Sequence, residues 1–207
     1  MPEAVIVDVA RLASGKGKPG GALHPVHPVD LFAGVISALI ERNDLDPALV
    51  EDVIGGCVQQ VGDQALNIAR VAALTAGLPI EVPGTTIDRQ CGSSQQALHF
   101  AAQGVLSGAY DIVVAGGVES MSRVPMGSDG GAWAENPSVN YRTSFVPQGV
   151  GADLIATIEG FGRRDVDEFA ARSQELATAA WADNRFGGSI LPVADSNGAL
   201  VLDRDEH

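Results

Sequence analysis

Apolar positions along the chain switch between short β-branched runs and longer stretches at helical spacing. Residues 4–9 (AVIVDV) are short, apolar and β-branched, the pattern of a buried strand. Residues 13–28 carry Gly, Pro and Lys and read as a loop. From Asp30 onward, Leu31, Val35, Ala38 and Leu39 mark one face of a helix that ends near Arg42 and Asn43. Asp46 followed by Pro47 matches a helix N-cap with proline at the first helical position. Residues 52–58 (DVIGGCV) predict a second strand, and residues 67–76 a helix stopped by Gly77 and Pro79. Thr85, Thr86 and Ile87 suggest a third strand, residues 93–106 a helix, and residues 111–115 (DIVVA) a fourth strand running into Gly116 and Gly117. The alternation predicts an α/β sheet layered with helices. After Ser120 the periodicity fades: residues 121–150 read as long irregular structure. Residues 165–181 return to helical spacing, with Asp165 or Asp167 favourable in the first turn. The sequence stops at DRDEH with no closing element, which reads as a cut end.

Composition narrows the class. With 207 residues, 45% hydrophobic and 19% charged, the chain is long enough and apolar enough for a sizeable soluble core. A net charge of −13 with 13 scattered basic residues argues against a nucleic-acid partner, which needs clustered Lys and Arg. No run approaches the roughly 18 apolar residues of a membrane span, and the start lacks the basic and apolar regions of a signal peptide. Cys57 and Cys91 do not form a disulfide framework, and no Cys/His cluster has zinc spacing, so no metal is expected. A reducing cytoplasm is the expected compartment.

The candidate chemistry centres on Cys91. A strand-like segment ends at Asp88 and a helix begins within about two residues of Cys91, placing the thiol at a helix N-terminus. Unpaired N–H groups and the macrodipole there stabilise a thiolate, a better nucleophile at neutral pH. Gly92 permits close approach of a ligand carbonyl, and the Cys91 N–H is a candidate oxyanion donor. Local features leave a second reading open, an inert thiol buried in a strand-to-helix turn. Cys57, mid-strand in GGCVQQ, reads as structural. No histidine supplies the base. His99 is eight residues along the same helix, about 12 Å along the axis. His24 and His27 sit in a Pro-rich loop and read as solvated, and His207 is the last residue.

Other motifs are weaker. Gly15, Gly17 and Gly20 match G-x-G-x-x-G, but Pro19 and a further loop replace the helix a dinucleotide site requires. Arg123, Arg142, Arg163 and Arg164 read as solvated before they read as phosphate contacts, and Met121 and Met126 as packing residues.

The segment DRQCGSSQQA around Cys91 resembles the nucleophile segment of thiolases. RLASGKGKPGGAL is similar to the family's first loop, VIGGCVQQVGDQALNIARVAALTAGLP to its second strand and helix, and AGGVESMSRVP to the strand and turn after the nucleophile helix. RRDVDEFAARSQELA also resembles a family helix, and the blocks run collinearly over nearly the whole chain. The resemblance implies a layered fold of two similar βαβαβαββ halves with an inserted loop domain. This chain would supply the first half, residues 1–120, and part of the loop domain, residues 121–207, with the C-terminal half absent. It implies a reversible Claisen reaction: Cys91 attacks the ketone of a 3-oxoacyl-CoA, acetyl-CoA leaves, and a second CoA takes the acyl group from the acyl-cysteine. Coenzyme A is then a substrate, no other cofactor is implied, and association as a homodimer or homotetramer is expected, with residues 84–92 near the interface.

The family's later Asn, His and second Cys segments (NEAF, GHP and CxG) do not occur here, so the chain is expected to be inactive unless they are supplied. FVPQGVGADLIA resembles a segment bordering the acyl pocket. Pro147 and Gln148 stand where short-chain members often have His-Met, which hints at a longer acyl chain. Two alternatives remain at this level: a ketoacyl-synthase-type condensing enzyme, and a non-catalytic acyl-CoA-binding partner.

Overall fold

The computed structural model describes residues 3–131 and 135–206. The backbone divides into two units, Met1–Asp129 with Ser189–His207, and Gly130–Gly188. The first holds β1 (Arg11–Leu12), α1 (Pro28–Arg42), β2 (Asp52–Gly56), α2 (Ile68–Thr75), β3 (Gly84–Ile87), α3 (Ser93–Ser107), β4 (Val113–Gly117), β5 (Ile190–Leu191), β6 (Val193–Ala194) and β7 (Leu200–Leu202). The second holds α4 (Pro137–Thr143), α5 (Gln148–Glu159) and α6 (Arg163–Ala182).

The centre of the first unit is a parallel sheet in the order β3-β2-β4. β2 is buried at every residue, as a central strand covered on both faces must be. Its side chains alternate between two cores. Val53 packs with Phe32, Ile36 and Ile40 of α1 and with Ala69, Ala72 and Ala73 of α2. Ile54 packs on the opposite face with Ala97 and Ala101 of α3. The result is a helix–sheet–helix sandwich, the α/β layering expected from the pattern.

Glycines set the spacing of the layers. A Cβ on Gly55 would stand 2.8 Å from both Phe32 and the Ala69 methyl. On the other face, a Cβ on Gly56 would come within 2.3 Å of the Ser94 nitrogen and 2.5 Å of the Ser93 carbonyl carbon. Only a bare backbone at these positions lets the helices settle this close to the sheet.

Three expectations change. Residues 4–9 join no ladder, and Val5, Ile6 and Val7 are exposed. A cavity of about 570 Å³, lined by Ile6, Val9, Phe32, Ile36, Leu98 and Val114 among others, lies along this segment and β4. An apolar β-branched run becomes a strand only where a partner edge meets it, and here the only ladder is Arg11–Leu12 with Ile190–Leu191. Second, residues 189–206 return to the first unit instead of continuing a domain from residue 121. The Arg11 guanidinium forks onto the Asp205 carboxylate at 2.7 and 2.9 Å, and Glu206 accepts from the Lys16 and Ala22 N–H groups at 2.7 and 3.0 Å. Third, the stretch read as irregular contains α4 and the start of α5, whose Leu154, Ile155 and Ile158 are exposed.

Helix starts follow local chemistry. Asp46 caps a 3₁₀ turn at Pro47–Leu49 by accepting from the Ala48 N–H at 2.9 Å. His27, expected in solvent, caps α1 through Nδ1, which accepts from the Val29 N–H at 3.2 Å. In α6, Asp165 accepts from the Gly162 N–H at 2.8 Å.

Two glycine substitutions should have opposite effects. Gly56→Ala drives a methyl into the α3 backbone and should lower stability by about 2–4 kcal/mol. Gly34, exposed within α1 with nothing near its would-be Cβ, should gain about 0.5–1 kcal/mol as alanine. Urea melts of the two variants check the signs; a neutral Gly56→Ala contradicts the close packing.

Candidate active site

Cys91 sits between the end of β3 and the start of α3. Three contacts shape the turn that carries it. The Asp88 carboxylate accepts from the Gln90 N–H at 2.7 Å. Gln90 is held at φ +48°, a left-handed conformation that costs a non-glycine residue about 1–2 kcal/mol. The buried Ser93 hydroxyl accepts from the Arg89 N–H at 2.9 Å and donates to the Gln90 carbonyl at 2.6 Å. Cys91 is thereby exposed immediately before Gly92, the residue capping α3. Gly92 offers no capping side chain, and the positive end of the α3 helix dipole lies beside the thiol. The reading of Cys91 as a buried thiol does not hold.

The turn rests on the sheet beneath it. Gly117 of β4 is as constrained as Gly56, since its Cβ would fall 2.3 Å from the Ser94 Oγ and 2.3 Å from the Gly56 carbonyl oxygen. The Cys57 N–H donates to the Ile87 carbonyl at 3.0 Å and the Val118 N–H to the Gly56 carbonyl at 3.0 Å, joining the ends of all three strands. Glu119 locks the next layer. Its carboxylate accepts from the Val58 N–H at 2.7 Å and from the buried Gln64 side-chain amide at 2.7 Å, while Gln64 Oε1 accepts from the Ser120 N–H at 2.6 Å.

The second thiol is in the opposite state. Cys57 is buried, and burial, with the negative charges of Glu119 and Asp88 nearby, pushes its thiol up to about 12. The histidines supply no base at this turn in the way the nucleophile needs. His24 Nδ1 lies 2.9 Å from the Ser122 carbonyl oxygen, His27 caps α1, and His99 is exposed on α3; His207 lies outside the described residues. Among the described residues no group of three or more His, Cys, Asp or Glu could hold a metal.

Of the arginines read as solvated, Arg123 is held by the fold, while Arg163 and Arg164 stay exposed. Arg123 donates through Nε to Asp63 at 2.7 Å and through NH1 to the His24 carbonyl at 2.9 Å. Arg163 and Arg164 pair along α6 with Asp167 and Glu168 at 2.8 and 2.6 Å. Met126, expected to pack, is 81% exposed, and Met121 is partly exposed beside Gly17.

The sequence model of the thiolase N-terminal domain matches residues 4–207. The chain belongs to the thiolase family. It is 42% identical over 98% of its length to the steroid 3-ketoacyl-CoA thiolase FadA6 of Mycobacterium tuberculosis, covering 52% of that protein. It is 40% and 42% identical over its full length to 3-ketoacyl-CoA thiolases of Pseudoalteromonas translucida and Photobacterium profundum, covering 53% and 54% of them. The chain thus spans about half the length of these curated relatives. The match places it with thiolases and not with ketoacyl-synthase-type enzymes.

Sequence reasoning singled out Cys91 and missed the residues that hold this thiolase turn. Ser93 left a signal in hindsight, as a hydroxyl at the first position of a helix. Gly56 and Gly117 left one as glycines ending two strands. Gln64 and Glu119 left none, being 55 positions apart.

The two thiols should react very differently. At pH 8 iodoacetamide should modify Cys91, while Cys57, about one part in 10⁴ ionised and shielded, should label only after denaturation. Peptide mapping by mass spectrometry reads this, and equal labelling in the folded chain contradicts it. Cys57 should also make stability fall with pH. Its raised folded pKa means the thiol's contribution is complete below about pH 9 and is lost up to about pH 12, as the unfolded thiol ionises first. The slope in that window should be up to ~1.4 kcal/mol per pH unit and should vanish in Cys57→Ala.

Proposed function

We propose that this thiolase chain carries the acyl-accepting half of a 3-oxoacyl-CoA thiolase. Cys91 attacks the ketone carbon of the substrate, the C–C bond breaks with release of acetyl-CoA, and the acyl group on sulfur passes to a second CoA. The reverse Claisen condensation uses the same acyl-cysteine. The observation that carries this reading is an exposed thiol set by a strained turn at the mouth of a 15-residue helix, in a chain of the thiolase family. Its geometry meets the needs of a thiolate nucleophile: access, a helix N-terminus and an adjacent backbone N–H for the oxyanion.

Coenzyme A is substrate in this scheme, and no other cofactor is required. The acyl group is a fatty or steroid-derived chain; the name of the M. tuberculosis relative supports the latter and the Pro147–Gln148 segment a chain longer than acetoacetyl. A homodimer or tetramer is the proposed assembly, with the open edge of β3 (Gly84–Ile87) as the proposed contact. The cytoplasm is the proposed compartment, in keeping with two free thiols. No described helix is long and apolar enough to cross a membrane.

The base and acid of the reaction are assigned to polypeptide outside residues 1–207, so this chain alone should not turn over 3-oxoacyl-CoA. A protein extended to the length of its relatives should, and Cys91→Ala should reduce its thiolysis at least about 10³-fold. Thiolysis is followed by loss of the 3-oxoacyl-CoA absorbance. Retention of the parent rate by Cys91→Ala sinks the proposal, and CoA-ester binding without any acyl-cysteine favours the non-catalytic partner.

A further inference from the structure

Ser93 is buried, and its hydroxyl bonds only within the turn that carries Cys91 among the described hydrogen bonds. Both its hydrogen bonds close back on the turn before it, from the Arg89 N–H and to the Gln90 carbonyl oxygen. The same carbonyl also accepts from the Ser93 N–H at 3.0 Å. The Gln90 oxygen is therefore clamped toward the helix by two donors from one residue. A trans peptide is planar, with its C=O and N–H pointing in opposite directions. No cis peptide occurs among the described residues. Holding the Gln90 oxygen inward thus forces the N–H of the same peptide, that of Cys91, outward. Gln90 pays for this orientation with a left-handed backbone, φ +48°, that the clamp opposes releasing.

We propose that Ser93 is a positioning residue that fixes the peptide between Gln90 and Cys91 so that the Cys91 N–H faces the incoming acyl carbonyl. This rests on the acyl-transfer reading of Cys91 and adds a residue to it. The function of the clamp is to present an oxyanion donor, not to make the thiol reactive as such. Two reactions of the same sulfur separate these roles. Alkylation by iodoacetamide displaces iodide at a saturated carbon and builds no oxyanion. Acylation by p-nitrophenyl acetate adds the thiolate to a carbonyl carbon through a tetrahedral oxyanion, then breaks the C–O bond. The products are S-acetyl-Cys91 and p-nitrophenolate, which departs without an acid.

The 207-residue chain, its Ser93→Ala variant and its Ser93→Thr variant are each treated with both reagents at pH 8. Nitrophenolate release and peptide mapping give the rate at Cys91. Ser93→Ala should acylate at least about tenfold more slowly while alkylation changes less than about threefold. Ser93→Thr, which keeps the hydroxyl, should recover most of the acylation rate. Parallel loss of both reactions, or loss of neither, overturns the role of Ser93. Parent Cys91 that alkylates but never acylates overturns the acyl-transfer reading itself. Labelling of Cys57 marks any variant that has not folded, and amide hydrogen exchange on the parent chain then decides. The Arg89 N–H should be protected and the Cys91 N–H should exchange freely; a protected Cys91 N–H overturns the proposal.

Discussion

The site depends on the contact between two strand-end glycines and the first turn of α3. Gly56 and Gly117 are paired in register at the ends of β2 and β4, and each leaves room that the backbone or hydroxyl of Ser94 fills. At Gly56 the contact is backbone on backbone, and at Gly117 it adds the short Ser94 hydroxyl, so the height of the helix over the sheet has little room to change. The chain leaving β3 must then climb from Ile87 to Ser93 in five intervening residues. That short span is what obliges Gln90 to turn left-handed and lifts Cys91 into the open. The reactive position is a consequence of close layer packing more than of any property of cysteine.

The same arrangement keeps the two thiols apart in chemistry although β2 and β3 run side by side. Cys57 follows Gly56 directly, is buried, and leads into the Val58–Gln59 backbone that Glu119 holds. The carboxylate that holds this backbone also opposes a negative charge on the buried sulfur. Cys91, by contrast, is exposed just before the start of α3. Burial does most to hold the Cys57 thiol neutral, and the carboxylate that serves the architecture adds to it.

Much of this was legible in the sequence, for identifiable reasons. α1, α3 and α6 carry their apolar stripes over 15, 15 and 20 residues, long enough for a 3.6 period to stand out. β2 is a short apolar run between turn signals, and Cys91 is marked by the change from period 2 to period 3.6 around it. Residues 4–9 misled because β-branched composition reports what a strand is made of, not whether an edge is there to receive it. His27 misled because a loop histidine next to proline can cap a helix as well as face water. A hydroxyl at the helix start marked Ser93, but its clamp depends on the backbone sign of Gln90, and the bridge from Gln64 to Glu119, a contact across the sheet ends, left no mark.

The proposed reaction divides into parts whose chemistry this chain's turn can supply and parts it cannot. The strand ends, the left-handed turn, the Ser93 bonds and the loops tied by Glu119 that shape the thiol lie between Asp52 and Ser120. Such a site is preorganised by its own fold, so accepting an activated acyl group requires no further group beyond a thiolate and an outward N–H. Breaking a C–C bond requires more, because the departing carbanion needs a stabilised oxyanion and a proton. His24 and His27 are engaged in the fold and His99 faces solvent, so none of the described histidines is placed to deliver a proton at this turn. On the proposed reaction, capture of the acyl group would fall to residues 1–207, and turnover to a longer polypeptide of the kind its relatives have.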